Sequence, residues 1–240
     1  MESGRPVQVS LVPMKRQRKS PLRLDSANVV GVAETTAALR LASKLPAGTL
    51  DLLEVRLDAF DAAPDLREIS TPILATVRAP EEGGRNALNA RERGSRYLAV
   101  LDQAAAIDVE LASARALAGV LAAARERKCR VVLSFHDFAG APSLATLRAM
   151  QRRALRAEAD VFKVAVTPRT PGELAALLAL LDAAPLPTAV MGMGPLGKVS
   201  RLVAAACGSV LNYGWIERPN VTGQWSAREL RARLAELRSV

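Results

Sequence analysis

Five charged side chains stand in runs whose other residues are apolar, and their types suit carbonyl and proton chemistry. Lys163 lies in Asp160-Val-Phe-Lys-Val-Ala-Val166, and Glu54 and Arg56 lie in Asp51-Leu-Leu-Glu-Val-Arg-Leu57. Arg78 follows Thr76-Val77, and His136 follows Ser134-Phe135. A lysine between Phe162 and Val164 is stripped of water, and a neighbouring Arg78 adds like-charge pressure. Both favour the neutral amine, the form that attacks a carbonyl carbon to give an imine. His136 is the sole histidine, and imidazole is the side chain best suited to moving protons near neutral pH. For Lys163 the alternative is a structural ion pair with Glu54 or Glu82.

The elements that must hold these groups follow from hydrophobic periodicity. Short apolar runs rich in β-branched residues predict strands over 28–33, 51–57, 72–77, 106–111, 130–135, 160–166, 187–193 and 209–213. Helical spacing predicts helices over 34–45, 113–128, 143–157, 170–183, 199–206 and 227–237, and each strand is expected to be followed by a helix. Alternating β and α elements imply a parallel sheet with right-handed crossovers. Eight such units in 240 residues predict a single-domain α/β fold of the (β/α)8 TIM-barrel type, which typically takes ~250 residues. An open doubly wound sheet is the alternative, but no GxGxxG turn follows the first strand. Residues 1–26, with the basic Met14-Lys-Arg-Gln-Arg-Lys19, stand apart as an N-terminal extension, flexible or loosely packed. Residues 27–240 are expected to form the catalytic barrel.

Strand side chains alternate between barrel interior and helix side. Glu54 then shares a face with Arg56, Thr76 with Arg78, Ser134 with His136, and Met191 with Met193, while Lys163 faces with Val161 and Ala165. All the charges sit toward the C-terminal ends of four strands, where barrels assemble active sites. Burying so many charges separately costs several kcal/mol each, so a shared polar pocket is the economical reading. The loop Arg78-Ala-Pro-Glu-Glu-Gly-Gly-Arg85 can place Glu82 beside the imidazole. The loop after the seventh strand brings Arg201 to the start of a helix, where it can grip a carboxylate with two parallel hydrogen bonds. Phosphate binding is the rival use of that loop, and the methionines are equally compatible with plain core.

Composition narrows the partners. The net charge of +9 comes from 33 Lys and Arg against 24 Asp and Glu, with only six lysines among the basic residues. It fits solvated helix faces or an anionic small-molecule substrate. Nucleic-acid binding is not expected, because no basic surface interleaved with aromatics is visible. Cys129 and Cys207 lack metal-ligand spacing and read as buried free thiols. There is no apolar leader and no uncharged run of ~18 residues, so a cytoplasmic protein without membrane contact is expected.

Taken together, Glu54-Val-Arg56, Thr76-Val-Arg78 with Glu81-Glu82-Gly-Gly84, Ser134-Phe-His-Asp-Phe138, Asp160-Val-Phe-Lys-Val-Ala165, Met191-Gly-Met193 with Ser200-Arg201, Gly208-Ser209 and Gly223-Gln224 resemble type I 3-dehydroquinate dehydratase. The resemblance runs in order from about residue 28 onward. It implies dehydration of 3-dehydroquinate to 3-dehydroshikimate in the shikimate pathway, without cofactor or metal, by a homodimer. It makes Lys163 the imine-forming amine, His136 the general acid and base, and Glu82 its orienting partner. Glu54, Arg56 and Arg78 would contact ring hydroxyls, Arg201 and Gln224 the carboxylate, and Met191, Met193 and Tyr213 would wall the ring. Asn220 and Gly31 occupy positions where the family usually has serine, and both are expected near the substrate. An aldolase-like Schiff-base enzyme with a phosphate site at 192–197 is the alternative.

Overall fold

The computed structural model describes residues 23–238. Eight strands, β1 (Asn28–Ala33), β2 (Leu52–Arg56), β3 (Ile73–Thr76), β4 (Ala104–Glu110), β5 (Arg130–Asp137), β6 (Val161–Val166), β7 (Thr188–Gly192) and β8 (Leu211–Trp215), make one parallel sheet. The order is β7-β6-β5-β4-β3-β2-β1-β8, so the first strand pairs with the last. Between β7 and β8 the ring closes through single bonds rather than a ladder. Val210 N donates to the Thr188 carbonyl at 3.1 Å and Val190 N to Ser209 Oγ at 3.1 Å. The result is a nearly closed TIM barrel.

Period-two alternation builds its inside. One apolar side chain from each strand, Val30, Leu52, Leu74, Ala106, Val132, Val161, Ala189 and Leu211, packs into the interior. Two residues further along each strand stand Val32, Glu54, Thr76, Asp108, Ser134, Lys163, Met191 and Tyr213. The intervening residues, such as Leu53, Val55, Phe162 and Val164, pack outward into a larger core beneath the helices.

Among the described residues seven helices cover the sheet: α1 (Thr36–Ser43), α2 (Ala90–Val100), α3 (Ala118–Glu126), α4 (Leu144–Arg156), α5 (Pro171–Leu178), α6 (Gly197–Ala206) and α7 (Ala227–Arg238). The expectation of a helix after every strand fails at β2. Its connection holds a short 3-10 turn, Leu57–Ala59, and then an irregular path in which Pro64 and Pro72 forbid a continuous helix. Leu57, Leu66 and Ile69 bury themselves in its stead. Helix α2, conversely, fills the place expected after β3, although helical spacing predicts no range for it. Its apolar stripe is faint because Arg93 and Gly94 occupy its buried face, and Asn89 and Glu92 fix its start by a capping box. Of the thiols, Cys129 is buried but Cys207, expected to be buried, is exposed at the end of α6. The basic segment 14–19 lies outside the described residues. At 23–26, Leu24 packs against the interior cluster, and Asn28 Nδ2 donates to the Arg23 and Ser26 carbonyls at 2.6 and 2.9 Å. No helix among the described residues is long and apolar enough to cross a membrane.

Candidate active site

At the C-terminal ends of the strands lies a pocket of about 300 Å³, lined by Glu54, Arg56, Arg78, Glu82, His136 and Lys163 among others. Met191, Met193, Arg201, Tyr213, Asn220 and Gln224 complete the expected set. Gly31 does not belong to it. Its parity on β1 turns it outward between the inward-facing Val30 and Val32, and a Cβ there would stand 2.8 Å from Ile216 Cδ1 and 2.9 Å from Leu50. Glycine at this position answers a packing demand on the helix side, and Val32 lines the pocket instead.

The floor is a closed set of charges that sequence reasoning captured only in part. Lys163 Nζ donates to Asp108 Oδ2 at 2.7 Å, stands 3.7 Å from Glu54 Oε1, and lies 4.2 Å from the centre of the Tyr213 ring. The amine is thus faced by two carboxylates, not chiefly by the arginine expected from sequence. Arg78 reaches Asp108 at 3.0 Å, Glu110 at 3.0 Å and Ser134 Oγ at 2.7 Å. Ser134 Oγ in turn donates to Asp108 Oδ1 at 2.6 Å, and Arg93 pairs with the far oxygen of Glu110. Three buried acids, Glu54, Asp108 and Glu110, balance three buried bases, Arg78, Arg93 and Lys163. Burial opposes the Asp108 charge, but Arg78 and Lys163 hold its carboxyl well below the usual carboxylate range. Burial likewise opposes the Arg78 charge, and Asp108 and Glu110 outweigh it. Asp108 and Glu110 were legible: they alternate in Ala104-Ala-Ala-Ile-Asp-Val-Glu110 just as Glu54 and Arg56 do in β2.

His136 and Glu82 form the second unit. Glu82 Oε2 accepts from the His136 backbone N–H at 3.0 Å and lies 2.8 Å from Nδ1. One carboxylate oxygen therefore fixes both the backbone and the ring. Burial first, then the charges of Arg78 and Lys163, push the imidazole well below its ordinary titration range. Burial raises Glu82 to about 7, against the pull of Arg78. The neighbouring Asp137, adjacent in sequence, instead caps the loop by accepting from Ala139 N at 2.8 Å. In the β5–β6 register Lys163 lies beside Ser134 and His136 beside Ala165. With ~4.8 Å between strands and ~3.3 Å rise per residue, the Lys163 and His136 backbones are about 8 Å apart.

The Arg56 guanidinium is held by Asp58 at 2.8 and 3.0 Å, Glu34 at 3.0 Å and the Gly83 carbonyl at 3.0 Å. Asp58, fully buried, also accepts from Arg78 N and Arg85 N at 3.0 Å each. It ties the ends of β2 and β3 to the Glu82 turn, a role hidden in sequence because its partners are mostly backbone amides.

Arg201 is different. It projects from the second turn of α6, almost fully buried, and its NH1 donates to the Tyr213 carbonyl at 3.1 Å. Among the described residues no carboxylate pairs with it, and burial lowers its titration to about 10. Among those residues only Arg201 Nε, Tyr213 Oη and Asn220 Oδ1 are buried side-chain polar atoms without a hydrogen-bond partner, and all three residues line this pocket. A buried guanidinium without a carboxylate partner is costly, and its open Nε has the charge and the donor to pair with an anion. The loop after β7 does not offer a phosphate cradle: Gly192 N donates to Ser200 Oγ, Met193 N to Val166 O and Gly194 N to Thr222 O. Gln224 accepts from Asn220 N at 3.0 Å through Oε1, which leaves its amide N–H groups for a ligand.

The family model for type I 3-dehydroquinase matches residues 28–239. The chain belongs to the type I 3-dehydroquinase family. The 3-dehydroquinate dehydratase of Methanothrix thermoacetophila is 36% identical over 201 residues, covering 80% of this chain and 84% of that protein. Among solved structures, the 3-dehydroquinate dehydratase of Geobacillus kaustophilus has a TM-score of 0.79 at 29% identity, covering 89% of this chain and 92% of that one. The type I enzyme of Clostridium difficile, solved with covalently modified comenic acid, has a TM-score of 0.80 at 23% identity, covering 90% and 94%. At that identity it speaks to the fold alone. The chain is a hydro-lyase, and the aldolase alternative falls with the family match.

Proposed function

We propose that this pocket dehydrates 3-dehydroquinate to 3-dehydroshikimate, a step of the shikimate pathway, through an imine on Lys163. The observation that carries the reading is the placement of one amine, one imidazole and one unpaired guanidinium around a single pocket. The Lys163 amine adds to the C3 carbonyl, and loss of water gives an iminium whose positive charge Asp108 and Glu54 face. His136, neutral because of its surroundings, takes the C2 proton, and the electron pair moves into the C2–C3 bond as the iminium becomes an enamine. The enamine expels the C1 hydroxyl, which leaves as water with the proton carried by His136. Water then hydrolyses the conjugated imine and frees both product and Lys163, so the net change is loss of one water. Glu82 holds the Nδ1 side of the ring and keeps Nε2 turned to the substrate. Arg201 and Gln224 take the carboxylate, Glu54, Arg56 and Arg78 the ring hydroxyls, and Met191 and Met193 the apolar faces.

Treatment with 3-dehydroquinate and borohydride tests the reading. A reduced adduct is expected on Lys163 by intact mass and peptide mapping, and none in Lys163→Ala. His136→Ala is expected to keep the adduct but lose turnover, read as ultraviolet absorbance of the conjugated product, by about 10²–10⁴-fold. Turnover without an adduct in the wild type would remove the imine from the mechanism.

A further inference from the structure

Tyr213 was expected only as an apolar wall, and its ring does serve as one, with Lys163 Nζ 4.2 Å from its centre. A phenylalanine would supply the same surface without a buried oxygen. Yet Tyr213 is 4% exposed, and its hydroxyl has no hydrogen-bond partner among the described residues. Leaving a buried polar group unpaired destabilises the fold, so the oxygen has a use outside the free protein. Tyr213 is also joined to Arg201: its carbonyl accepts from Arg201 NH1 at 3.1 Å, while Arg201 Nε is itself unpartnered. Two unsatisfied donors, one neutral and one cationic, are therefore anchored to the same residue of β8 and line the same pocket.

We infer that the Tyr213 hydroxyl donates a hydrogen bond to the substrate carboxylate and joins Arg201 and Gln224 in a clamp for it. Burial, reinforced by Glu54 and Asp108, raises the phenol well above its ordinary range, so it keeps its proton and acts as a donor. The acceptor is an anion, because among the arginines that line this pocket Arg201 alone has no carboxylate partner among the described residues. The inference rests on the dehydratase reading above, since it presupposes a carboxylate on the ring that Lys163 captures.

Tyr213→Phe removes one oxygen and keeps the ring. The variant is expected to show a KM for 3-dehydroquinate raised about tenfold, with kcat changed less than threefold, the signature of lost uniform binding. The inhibition constant of 3-dehydroshikimate, which keeps the carboxylate but has lost the C1 hydroxyl, should weaken by a similar factor. The melting temperature should stay level or rise, because the variant no longer buries an unpaired hydroxyl. Unchanged KM and inhibition constant would overturn the inference, and so would weakened substrate binding with product binding intact, which would assign the oxygen to the C1 hydroxyl. A fall in both melting temperature and affinity would make the hydroxyl structural, which equally overturns it. Wild-type protein that neither turns over nor forms the borohydride adduct would instead refute the dehydratase reading.

Discussion

Replacing Asp108 with Asn tests whether the pocket floor is held by charge balance. The carboxylate is fully buried and accepts from Lys163 at 2.7 Å, Arg78 at 3.0 Å and Ser134 at 2.6 Å. Asparagine keeps the shape but leaves the balanced set with one excess positive charge, and its NH₂ must face a donor. Breaking a buried ion pair costs about 3–5 kcal/mol. Arg78 keeps Glu110 at 3.0 Å, which places the cost at about 3 kcal/mol. For a chain of this size each kcal/mol moves Tm by about 2–4 °C, so a fall of about 6–12 °C is expected by circular dichroism melting. The double variant Asp108→Asn with Lys163→Met removes both charges. It should cost at least about 1 kcal/mol less than the sum of the single variants. A fall below about 2 °C, or simple additivity, would show that the floor is held by packing and not by these charges.

Two further outcomes follow from the geometry. With Glu82 titrating at about 7, the carboxylate that accepts from His136 Nδ1 forms as pH rises, so kcat/KM should climb through about pH 7 and level above it. In Glu82→Gln that limb should vanish and the rate should be lower at high pH; a surviving limb would assign it to another group. Gly223 adopts φ +78°, and a Cβ there would stand 2.1 Å from the Gly194 carbonyl. Gly223→Ala should push the Gln224 loop from the β7 loop, raise KM about tenfold or more and lower Tm by about 2–4 °C for each kcal/mol of strain, whereas an unaltered KM would free that loop from any part in binding.

Much of this molecule was readable from period-two patterning. Lys163, His136, Glu54 and Arg78 sit in apolar strands where only an inward, shared pocket accounts for them, and the barrel followed from the alternation of elements. Asp108 and Glu110 obey the same rule in β4, where the small apolar residues Ala104–Ala106 and Ile107 precede them. Asp58 carried no such sign, because a carboxylate that caps backbone amides depends on loops whose course periodicity does not describe. Gly31 failed for the opposite reason: similarity of position suggested the substrate, while strand parity already turned it toward Leu50 and Ile216. Helix α2 escaped because its buried face includes Arg93, which seeks Glu110 and not an apolar neighbour.

The first strand pairs with the last, so the β1 edge is covered only by residues made at the end of the chain. Residues on β2 to β6 bring Glu54, Arg78, Asp108, His136 and Lys163 together through neighbouring ladders. Arg201, Tyr213 and Gln224 come later in the chain, and β1 waits for β8 to cover its open edge, with Asn28 and Val210 meeting across 182 residues. The strands that carry the reactive amine and imidazole are therefore made before the groups that hold an anion over them. Until β8 emerges, β1 exposes an unpaired strand edge, the kind of surface that recruits other chains. Chaperone dependence in a nascent chain of this kind should be greatest just before residue 211 is made and fall once it has docked.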